Sequence, residues 1–462
     1  SGIELNAVQR ANPEMQKRVS NVIRAIAESD NNPVISIHDH GAGGHLNCLS
    51  ELVEATGGHI DMSQLPVGDP TLSAKEIVGN ESQERMGIVI REEDIEHIRQ
   101  IADRERAPFY VVGETTGDHR FVFEQTDGVK PIDLAMEDMF GKAPRTIMTD
   151  KTVEETYEDV TYDQTQLDEY VERVLQLEAV ACKDWLTNKV DRSVTGKIAR
   201  QQCQGEIQLP LSDCGVVALD YRGRAGIATS IGHAPQAALV DPAAGSVLSI
   251  AEALTNIVWA PLSEGLDSVS LSANWMWPCK NEGEDARLYR AVEACSDFAC
   301  SLGINIPTGK DSLSMTQKYG KDKVYSPGTV IISAGAEVSD IRKVVSPVLR
   351  TGVNSTIYYI DFSFDKLKLG GSAFAQSLDK IGKEVPTVQD SEYFANAFNA
   401  VQELVNKEFI LAGHDISAGG MITTMLEMNF ANTEGGLEVS LDEIPEKDLV
   451  KILFSENPGI LI

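Results

Sequence analysis

Two oxygen-bearing side chains lie four residues apart on a predicted helix in the middle of the chain. The helix is predicted to begin at Asp241-Pro242, because aspartate is a favoured N-cap residue and proline suits the first helical position, and to end near Trp259. Glu252 and Asn256 stand at i and i+4 and therefore share one face. Two hard oxygen donors on one face suit Mg²⁺, the alternative being an ordinary solvated helix face.

Two aspartates elsewhere in the sequence are further candidates for the same metal site. Asp213 precedes an apolar run predicted to form a strand over 214–220, and Asp415 lies in a motif that occurs twice. Three carboxylates and one amide could together hold a metal ion that bridges phosphate groups. Spacing along the sequence does not establish that the four side chains converge.

The repeated motif combines a His-Asp pair with a glycine pair. It reads His38-Asp39-His40-Gly41-Ala42-Gly43-Gly44 in the first copy and His414-Asp415-Ile416-Ser417-Ala418-Gly419-Gly420 in the second, and a run with helical periodicity follows each. Free N–H groups at a helix N-terminus attract phosphate, glycines allow close backbone approach, and Ser417 can donate through its hydroxyl. The motif predicts an anion site, and its repetition makes the alternative, a tight turn without a ligand, less favoured.

The similarity between the two copies extends well beyond the glycine pair. Both continue through a helical run and a second glycine pair to an apolar strand that contains Gly87 or Gly459. The first copy runs on into a predicted helix over 92–104 and a predicted strand over 109–113, whereas the second ends at Ile462 inside its strand. We therefore expect the chain to be a fragment of a longer protein, with material missing before Ser1 as well.

Composition and charge argue against several classes of protein. Hydrophobic residues make up 42% and charged residues 24%, which is typical of a folded globular chain. The formal net charge of −30 opposes general binding to nucleic acid or to anionic lipid. No apolar run approaches the length of about 18 residues needed to span a membrane, and seven cysteines without zinc-type spacing indicate reduced thiols. We expect a cytoplasmic protein without nucleic-acid or membrane partners.

Shifts in composition divide the sequence into four predicted regions. Residues 1–130 and 339–462 contain the two copies of the repeat, and each is predicted to be an α+β domain. Residues 131–198 form an acidic connector with helical periodicity over 166–184. Residues 199–338 are richer in glycine and β-branched residues, and short strands there alternate with helices, which predicts another α+β domain.

Several runs of sequence together resemble phosphoribosylformylglycinamidine synthase in its large, single-chain form. The runs are HDHGAGG, GNESQERMG, RERAPFYVVG, VDRSVTGKIARQQCQGEIQLPLSDCG, SIGHAPQAALVDPAAGSVLSIAEALTN, LSANWMW, IPTGKDSLSM and AGHDISAGGM. They cover almost the whole chain and occur in the order found in that family, which makes the resemblance specific.

The resemblance implies both a fold and an activity. The fold would consist of tandem α+β domains similar to aminoimidazole ribonucleotide synthetase. On that map 1–130 is the C-terminal domain of a first half, 199–338 is the barrel-contributing N-terminal domain of a second half, and 339–462 is its truncated C-terminal domain. The activity would be that of an ATP-dependent ligase of de novo purine biosynthesis, which converts formylglycinamide ribonucleotide and glutamine-derived ammonia into formylglycinamidine ribonucleotide.

The resemblance also implies roles for particular residues. The second half would hold an auxiliary nucleotide, ATP or ADP, with Mg²⁺, and its metal ligands correspond to Asp213, Glu252, Asn256 and Asp415. Asp39 is similar to a metal ligand for the reacting ATP. The remaining matches are nucleotide contacts at Ser212, Ser417, Gly419, Gly420 and Gly309, and substrate contacts at Glu81, Ser82, Gln83 and Ser312.

The sequence departs from the family pattern at several points. Lys310 stands where related small forms have asparagine, and Gly41 replaces the serine found at Ser417, so the two turns should differ in what they bind. The catalytic histidine of the first half and the glutaminase domain have no counterpart here, so we expect no catalytic residue in the chain and no turnover by it alone. The alternatives are a non-catalytic ADP/Mg²⁺-binding scaffold and another ATP enzyme of the same superfamily.

Overall fold

The protein divides into two compact units. The structure is a computed structural model, and it describes residues 12–81, 84–142, 145, 147–153, 155–187, 192 and 196–462. The first unit comprises Ser1–Thr146 and the second Ile147–Ile462. None of the described helices is both long and apolar enough to span a lipid bilayer.

The first unit combines helices with two small sheets. β1 pairs with β3 in an antiparallel ribbon, and β4, β2, β5 and β6 form a four-stranded sheet in that order. Phe121 and Phe123 of β5 are fully buried and pack edge to face in the core of this sheet. The elements are α1 Pro13–Ala27, β1 Ser36–Asp39, α2 Gly44–Leu52, β2 Gly58–Asp61, α3 Ala74–Val78, β3 Met86–Val89, α4 Ile95–Glu105, β4 Gly113–Thr115, β5 Arg120–Glu124, β6 Ile132–Ala135 and α5 Met136–Phe140.

The second unit is built on a six-stranded sheet, in the order β13-β12-β16-β11-β10-β7, in which only the β12–β13 pair is parallel. Its elements begin with α6 Leu167–Leu175, α7 Asp184–Thr187, β7 Ile198–Arg200, β8 Cys203–Gln204, β9 Leu209–Pro210, β10 Gly215–Ala218, β11 Gly226–Gly232, α8 Pro235–Val240, α9 Pro242–Ile257, β12 Ser270–Met276, α10 Glu284–Leu302, β13 Asn305–Ser312, β14 Thr316–Tyr319, β15 Asp322–Tyr325 and β16 Thr329–Val338. The chain continues with β17 Tyr359–Asp361, α11 Ala373–Ser377, α12 Ser391–Asn406, β18 His414–Ile416, α13 Gly420–Phe430, α14 Leu449–Phe454 and β19 Gly459–Leu461.

One face of the six-stranded sheet is covered by helices α9 and α10 and contributes to the largest core cluster. Along β11 buried and exposed residues alternate, as expected for a strand with one covered face. Ile227 and Ile231 lie on the other face, where 41% and 57% of their surface is exposed. The sheet therefore has one apolar face, which the helices bury, and one face that is more exposed.

The repeat appears in the structure as the same strand–turn–helix arrangement in both units. β1 and β18 carry the His-Asp pair, and α2 and α13 begin directly after the glycine turn. The strand pairings differ by two residues, because Asp39 lies opposite Met86 whereas Asp415 lies opposite Ile460, one residue after Gly459. Because side chains alternate between the two faces of a sheet, a shift of two residues leaves each side chain on the same face. The His-Asp pair therefore has the same orientation relative to its own partner strand in both copies.

Two predictions of local structure are wrong. Residues 109–112 form no strand, and β4 begins only at Gly113. The helix predicted over 166–184 ends at Leu175, and its later apolar residues, Leu177 and Val180, lie in turns that pack against the cluster around Phe374. The helix-like spacing of apolar residues continues beyond Leu175 because these turns pack against the same apolar cluster as the helix.

Candidate metal and nucleotide site

Helix α9 begins as the sequence predicts and brings Glu252 and Asn256 to the end of strand β11. Asp241 caps the helix by accepting a hydrogen bond from the Ala243 N–H at 3.0 Å. A carboxylate oxygen of Glu252 accepts from the N–H of His233 at 2.7 Å, and Nδ2 of Asn256 donates to the carbonyl of Ile231 at 3.0 Å. Both side chains are partly buried, so this face of the helix is not fully solvated.

Asp213 and Asp415 come together although they lie far apart in the sequence. Asp213 stands just before β10 and Asp415 lies on β18; their side chains are 3% and 4% exposed. The Asp415 N–H donates to Oδ2 of Asp213 at 3.3 Å. His414 lies between them, with Nδ1 2.6 Å from Oδ1 of Asp213 and 3.5 Å from Oδ1 of Asp415.

Buried negative charge accumulates at this site. Burial raises the pKa of Asp213, and burial together with the Asp213 carboxylate raises that of Asp415 well above its ordinary value, with a further contribution from Glu252. Burial also raises the pKa of Glu252 to about 8. Oδ2 of Asp415 is buried and has no hydrogen-bond partner in the described part of the chain. A buried, unpaired carboxylate oxygen among other carboxylates is costly unless a proton or a cation neutralises it.

The donor set fits a divalent cation that prefers oxygen. Asp213, His414 and Asp415 offer potential ligand atoms that all lie within 4.8 Å of one another, and they form a possible metal-binding group among the described residues. Glu252 is close enough to Asp415 to raise its pKa. Carboxylate oxygens are the ligands that Mg²⁺ selects, whereas the imidazole suits it less and is already held between acids.

A glutamate on the helix after each glycine turn was missed in the sequence analysis. Nε2 of His414 lies 2.9 Å from a carboxylate oxygen of Glu427 on α13. Burial lowers the pKa of His414, but the neighbouring carboxylates of Asp213 and Glu427 outweigh it and raise the pKa well above its ordinary value. In the first unit Nε2 of His38 pairs in the same way with Glu51 on α2. The signal was present in the sequence, because the spacing from histidine to glutamate is the same in both copies.

The glycine turn that precedes α13 is closed by a second overlooked carboxylate. Gly419 and Gly420 adopt positive φ angles of 95° and 73°, and the Gly420 N–H donates to the carbonyl of Ser417 at 2.9 Å. A carboxylate oxygen of Glu456 accepts from the N–H groups of Gly419 and Ala373, both at 2.8 Å. Burial raises the pKa of Glu456 to about 7. The carboxyl group of a side chain therefore already lies at the turn.

The first unit contains the equivalent arrangement with different exposure. The Gly43 N–H donates to a carboxylate oxygen of Glu81 at 3.0 Å, so Glu81 takes the place that Glu456 has in the second unit. Asp39 is exposed at the end of β1, and its Oδ1 lies 3.8 Å from Nδ1 of His38. Ser82 and Gln83 lie outside the described residues.

The remaining candidate residues differ in their surroundings. Oγ of Ser212 donates to the carbonyl of Gln201 at 2.7 Å, directly beside Asp213 in the sequence. Ser312 ends β13, where its Oγ lies 2.8 Å from Nζ of Lys310. Gly309 lies within β13, and a Cβ there would be 2.1 Å from the carbonyl oxygen of Ala273. Close approach of β12 and β13 is thus sufficient to require glycine at that position.

Comparisons with known proteins agree with this architecture. The family model for the AIR synthase related protein, C-terminal domain, matches residues 1–125 and 355–462, and the FGAR-AT PurM_N-like domain matches residues 182–337. The chain therefore belongs to the AIR synthase related family, which confirms the predicted fold class of tandem α+β domains.

The curated relatives carry one name. Proteins named phosphoribosylformylglycinamidine synthase from Homo sapiens and Dictyostelium discoideum are 38% and 37% identical over 100% of this chain. The chain spans 36% of the length of each of these relatives. The resemblance noted in the sequence is therefore confirmed for the part of those proteins that this chain covers.

Solved structures show the same fold at low identity. Thermotoga maritima PurL complexed with ATP has a TM-score of 0.65 at 17% identity, covering 98% of this chain and 64% of that chain. PurLQS from Thermotoga maritima has a TM-score of 0.68, also at 17% identity and with the same coverage. PurL from the same organism has been solved in complex with FGAR as well, with a TM-score of 0.62.

Proposed function

We propose that this chain is part of a cytoplasmic ATP-dependent ligase that converts formylglycinamide ribonucleotide to formylglycinamidine ribonucleotide, and that its second unit holds an auxiliary Mg²⁺–nucleotide. The name of the curated relatives supports the reaction. The buried contact between Asp213 and Asp415, with an unpartnered oxygen on Asp415, is the observation that carries the metal site. Ammonia would come from a glutaminase domain outside this chain.

Asp213, Glu252, Asn256 and Asp415 are the residues that would hold the cation. Bound Mg²⁺ would neutralise the charge of a nucleotide diphosphate, which the net charge of −30 otherwise opposes. Asn256 donates through Nδ2 to the Ile231 carbonyl, and its amide oxygen is the atom that would bind the cation. The Asp415 backbone and His414 fix the Asp213 carboxylate, so the oxygen positions are set before the cation arrives.

The glycine turn would contribute to nucleotide binding mainly through Ser417. The Gly419 N–H donates to Glu456 and would be free for a phosphate only if Glu456 moved away, whereas the Gly420 N–H donates to the Ser417 carbonyl within the turn. Gly420 still permits the close approach that the turn needs, because a Cβ there would lie 2.7 Å from the backbone of Phe454. We therefore assign phosphate contact to the Ser417 hydroxyl, with Ser212 and Gly309 as further nucleotide contacts.

Each unit contains residues that we assign to ligand contacts. In the first unit we assign a metal for the reacting ATP to Asp39 and formylglycinamide ribonucleotide to Glu81, Ser82 and Gln83. In the second unit we assign a substrate contact to Ser312, whose hydroxyl lies 2.8 Å from Nζ of Lys310. The exposed position of Asp39 leaves its carboxylate open to a ligand, in contrast to the buried Asp415.

For the isolated chain, binding of a nucleotide without catalysis is the favoured function. The deep burial of Asp213 and Asp415 suits a nucleotide that is retained, as in a non-catalytic ADP/Mg²⁺-binding scaffold, better than one that exchanges in each cycle. We expect the isolated chain to bind ADP without forming product. Mass spectrometry of ligand released on denaturation tests retention: ADP supports the proposal, whereas no nucleotide, together with no Mg²⁺-dependent ADP binding in calorimetry, would contradict it.

A further inference from the structure

His414 is held at both ring nitrogens by carboxylates that come from different elements. Nδ1 lies 2.6 Å from Oδ1 of Asp213, and Nε2 lies 2.9 Å from Oε2 of Glu427. The side chain of His414 is 8% exposed, so the ion pair at Nδ1 and the hydrogen bond at Nε2 are both shielded from water, and attraction between charged groups is strongest in such surroundings. The ring is therefore fixed in position and in orientation.

This histidine connects three parts of the second unit. Asp213 precedes β10 of the six-stranded sheet, His414 begins β18, and Glu427 lies on α13, the helix that follows the glycine turn. The Asp415 N–H holds the other oxygen of Asp213 at 3.3 Å. Both oxygens of Asp213 are thus contacted from β18, Oδ1 by the imidazole of His414 and Oδ2 by the Asp415 N–H, which favours one orientation of the carboxylate relative to Asp415.

The first unit provides an internal comparison. His38 and Glu51 form the same pair between the strand and helix of the other copy. There, however, Nδ1 of His38 lies 2.8 Å from the backbone carbonyl oxygen of its own neighbour, Asp39. The His–Glu pair therefore recurs in both units, but in the second unit the other ring nitrogen, Nδ1, contacts the carboxylate of Asp213, which precedes β10.

We propose that His414, anchored by Glu427, is a positioning residue that orients the Asp213 carboxylate toward the divalent cation. The inference rests on the proposed Mg²⁺–nucleotide site and assigns to it two residues that do not touch the cation. Side chains that hydrogen-bond a metal ligand fix its orientation, and their replacement typically lowers metal affinity about 10- to 100-fold. Glu427 acts indirectly, because it holds the ring of His414, which in turn contacts Asp213.

The test measures Mg²⁺-dependent binding of ADP by calorimetry and by thermal shift on the full chain. Glu427→Gln keeps the size of the side chain and removes its charge, and because Glu427 is 30% exposed it spares the core. We expect it to raise the Mg²⁺ concentration needed for half-maximal ADP binding about 10- to 100-fold. Glu51→Gln, the matched change in the first unit, should leave that concentration unchanged.

Replacements of the histidine separate positioning from simple support of the fold. His414→Asn keeps an amide donor near the position of Nδ1 and should retain more Mg²⁺-dependent binding than His414→Leu, which has no donor. A purely structural role would lower the melting temperature without changing the Mg²⁺ dependence, and that result in Glu427→Gln would overturn the proposal. If the unsubstituted chain shows no Mg²⁺–ADP response, the proposed function fails as well; an unaltered response in Glu427→Gln overturns the positioning role alone.

Discussion

Oδ1 of Asp213 lies 2.6 Å from Nδ1 of His414, although one residue precedes a strand of the six-stranded sheet and the other begins a strand of the three-stranded sheet β17-β19-β18. This contact brings the Asp213 carboxylate next to that of Asp415 in a buried setting. Two buried carboxylates repel each other unless a proton or a cation lies between them. The raised pKa of His414 keeps a proton on the ring that lies between these acids, and the proposed divalent cation would neutralise the charge that remains.

Replacing Asp415 should affect the stability of the metal-free chain and its Mg²⁺-dependent binding of ADP in different ways. Asp415→Asn removes a charge that burial and Asp213 oppose, so we expect the metal-free chain to be at least as stable as before. The same change removes a proposed ligand and should weaken Mg²⁺-dependent ADP binding at least about tenfold. Calorimetry with Asp442→Asn, an exposed aspartate, as control checks this; full ADP binding by Asp415→Asn would refute the assignment.

Glu456 should make the stability of the metal-free chain fall as the pH rises. Burial raises its folded-state pKa from 4.5 to about 7, so between these values the folded chain keeps a proton that the unfolded chain has lost. Stability is thus highest below about pH 4.5 and has lost this contribution above about pH 7. Glu456→Gln keeps an oxygen acceptor for the Gly419 and Ala373 N–H groups without the ionisation.

Thermal melts at about pH 5 and about pH 8 without Mg²⁺ test this sign. The decrease in melting temperature across that interval should be smaller in Glu456→Gln by a few degrees. Glu438→Gln, an exposed change, should show the original decrease. Identical pH profiles for Glu456→Gln and the unsubstituted chain would show that the Glu456 carboxyl does not titrate above its ordinary range.

The glycine turn of the second copy should not tolerate a side chain. Gly420 has a φ of +73°, and a Cβ there would lie 2.7 Å from backbone atoms of Phe454. We expect Gly420→Ala to lower the free energy of unfolding by about 2 kcal/mol or more, since it adds both strain and a backbone clash. Gly436→Ala, where the added Cβ meets nothing within 4 Å, should change it by less than about 0.5 kcal/mol. Equal effects in urea unfolding would contradict this account of the turn.

Gln402 should be a stability determinant of the second unit. Its Nε2 donates to the carbonyls of Val258 and Ala260 at 2.6 and 3.0 Å, and its Oε1 accepts from the Leu262 N–H at 2.9 Å. Gln402→Leu leaves these buried backbone groups unpaired and should cost about 2–4 kcal/mol in the free energy of unfolding.

The neighbouring residue on helix α12 provides the control for Gln402. Glu403 forms an exposed pair with Lys407 at 2.9 Å, and Glu403→Gln should cost no more than about 0.5 kcal/mol. Denaturant unfolding of both variants under one condition checks the difference. A loss in Gln402→Leu as small as that in Glu403→Gln would mean that the three backbone groups find other partners.

Much of the local structure could be predicted from sequence because local signals dictate it. Asp241-Pro242 marks the start of α9, and the glycine pairs mark the starts of α2 and α13. The strand predicted over 109–113 is wrong because extended backbone becomes a strand only where a neighbour offers hydrogen bonds, and that pairing begins at Gly113. The pairing partner is a property of the fold.

The candidate site was predictable in its residue types but not in its arrangement. Asp213 and Asp415 could be nominated as oxygen donors, but only the contact of β18 with the segment just before β10 brings them together. Glu427 and Glu456 were missed because a single glutamate on a helix or in a loop has no distinctive local pattern. Comparing the two copies position by position would have revealed the His–Glu spacing.

The central claim is that oxygens of the second unit surround one divalent cation beside a nucleotide. Anomalous diffraction from crystals of the chain grown with ADP and Mn²⁺ in place of Mg²⁺ tests it directly. The account predicts one peak within about 2.5 Å of carboxylate oxygens of Asp213, Glu252 and Asp415 and of the Asn256 amide oxygen, beside the ADP diphosphate. ADP bound in this unit without such a peak, or a peak coordinated by other side chains, would contradict the account.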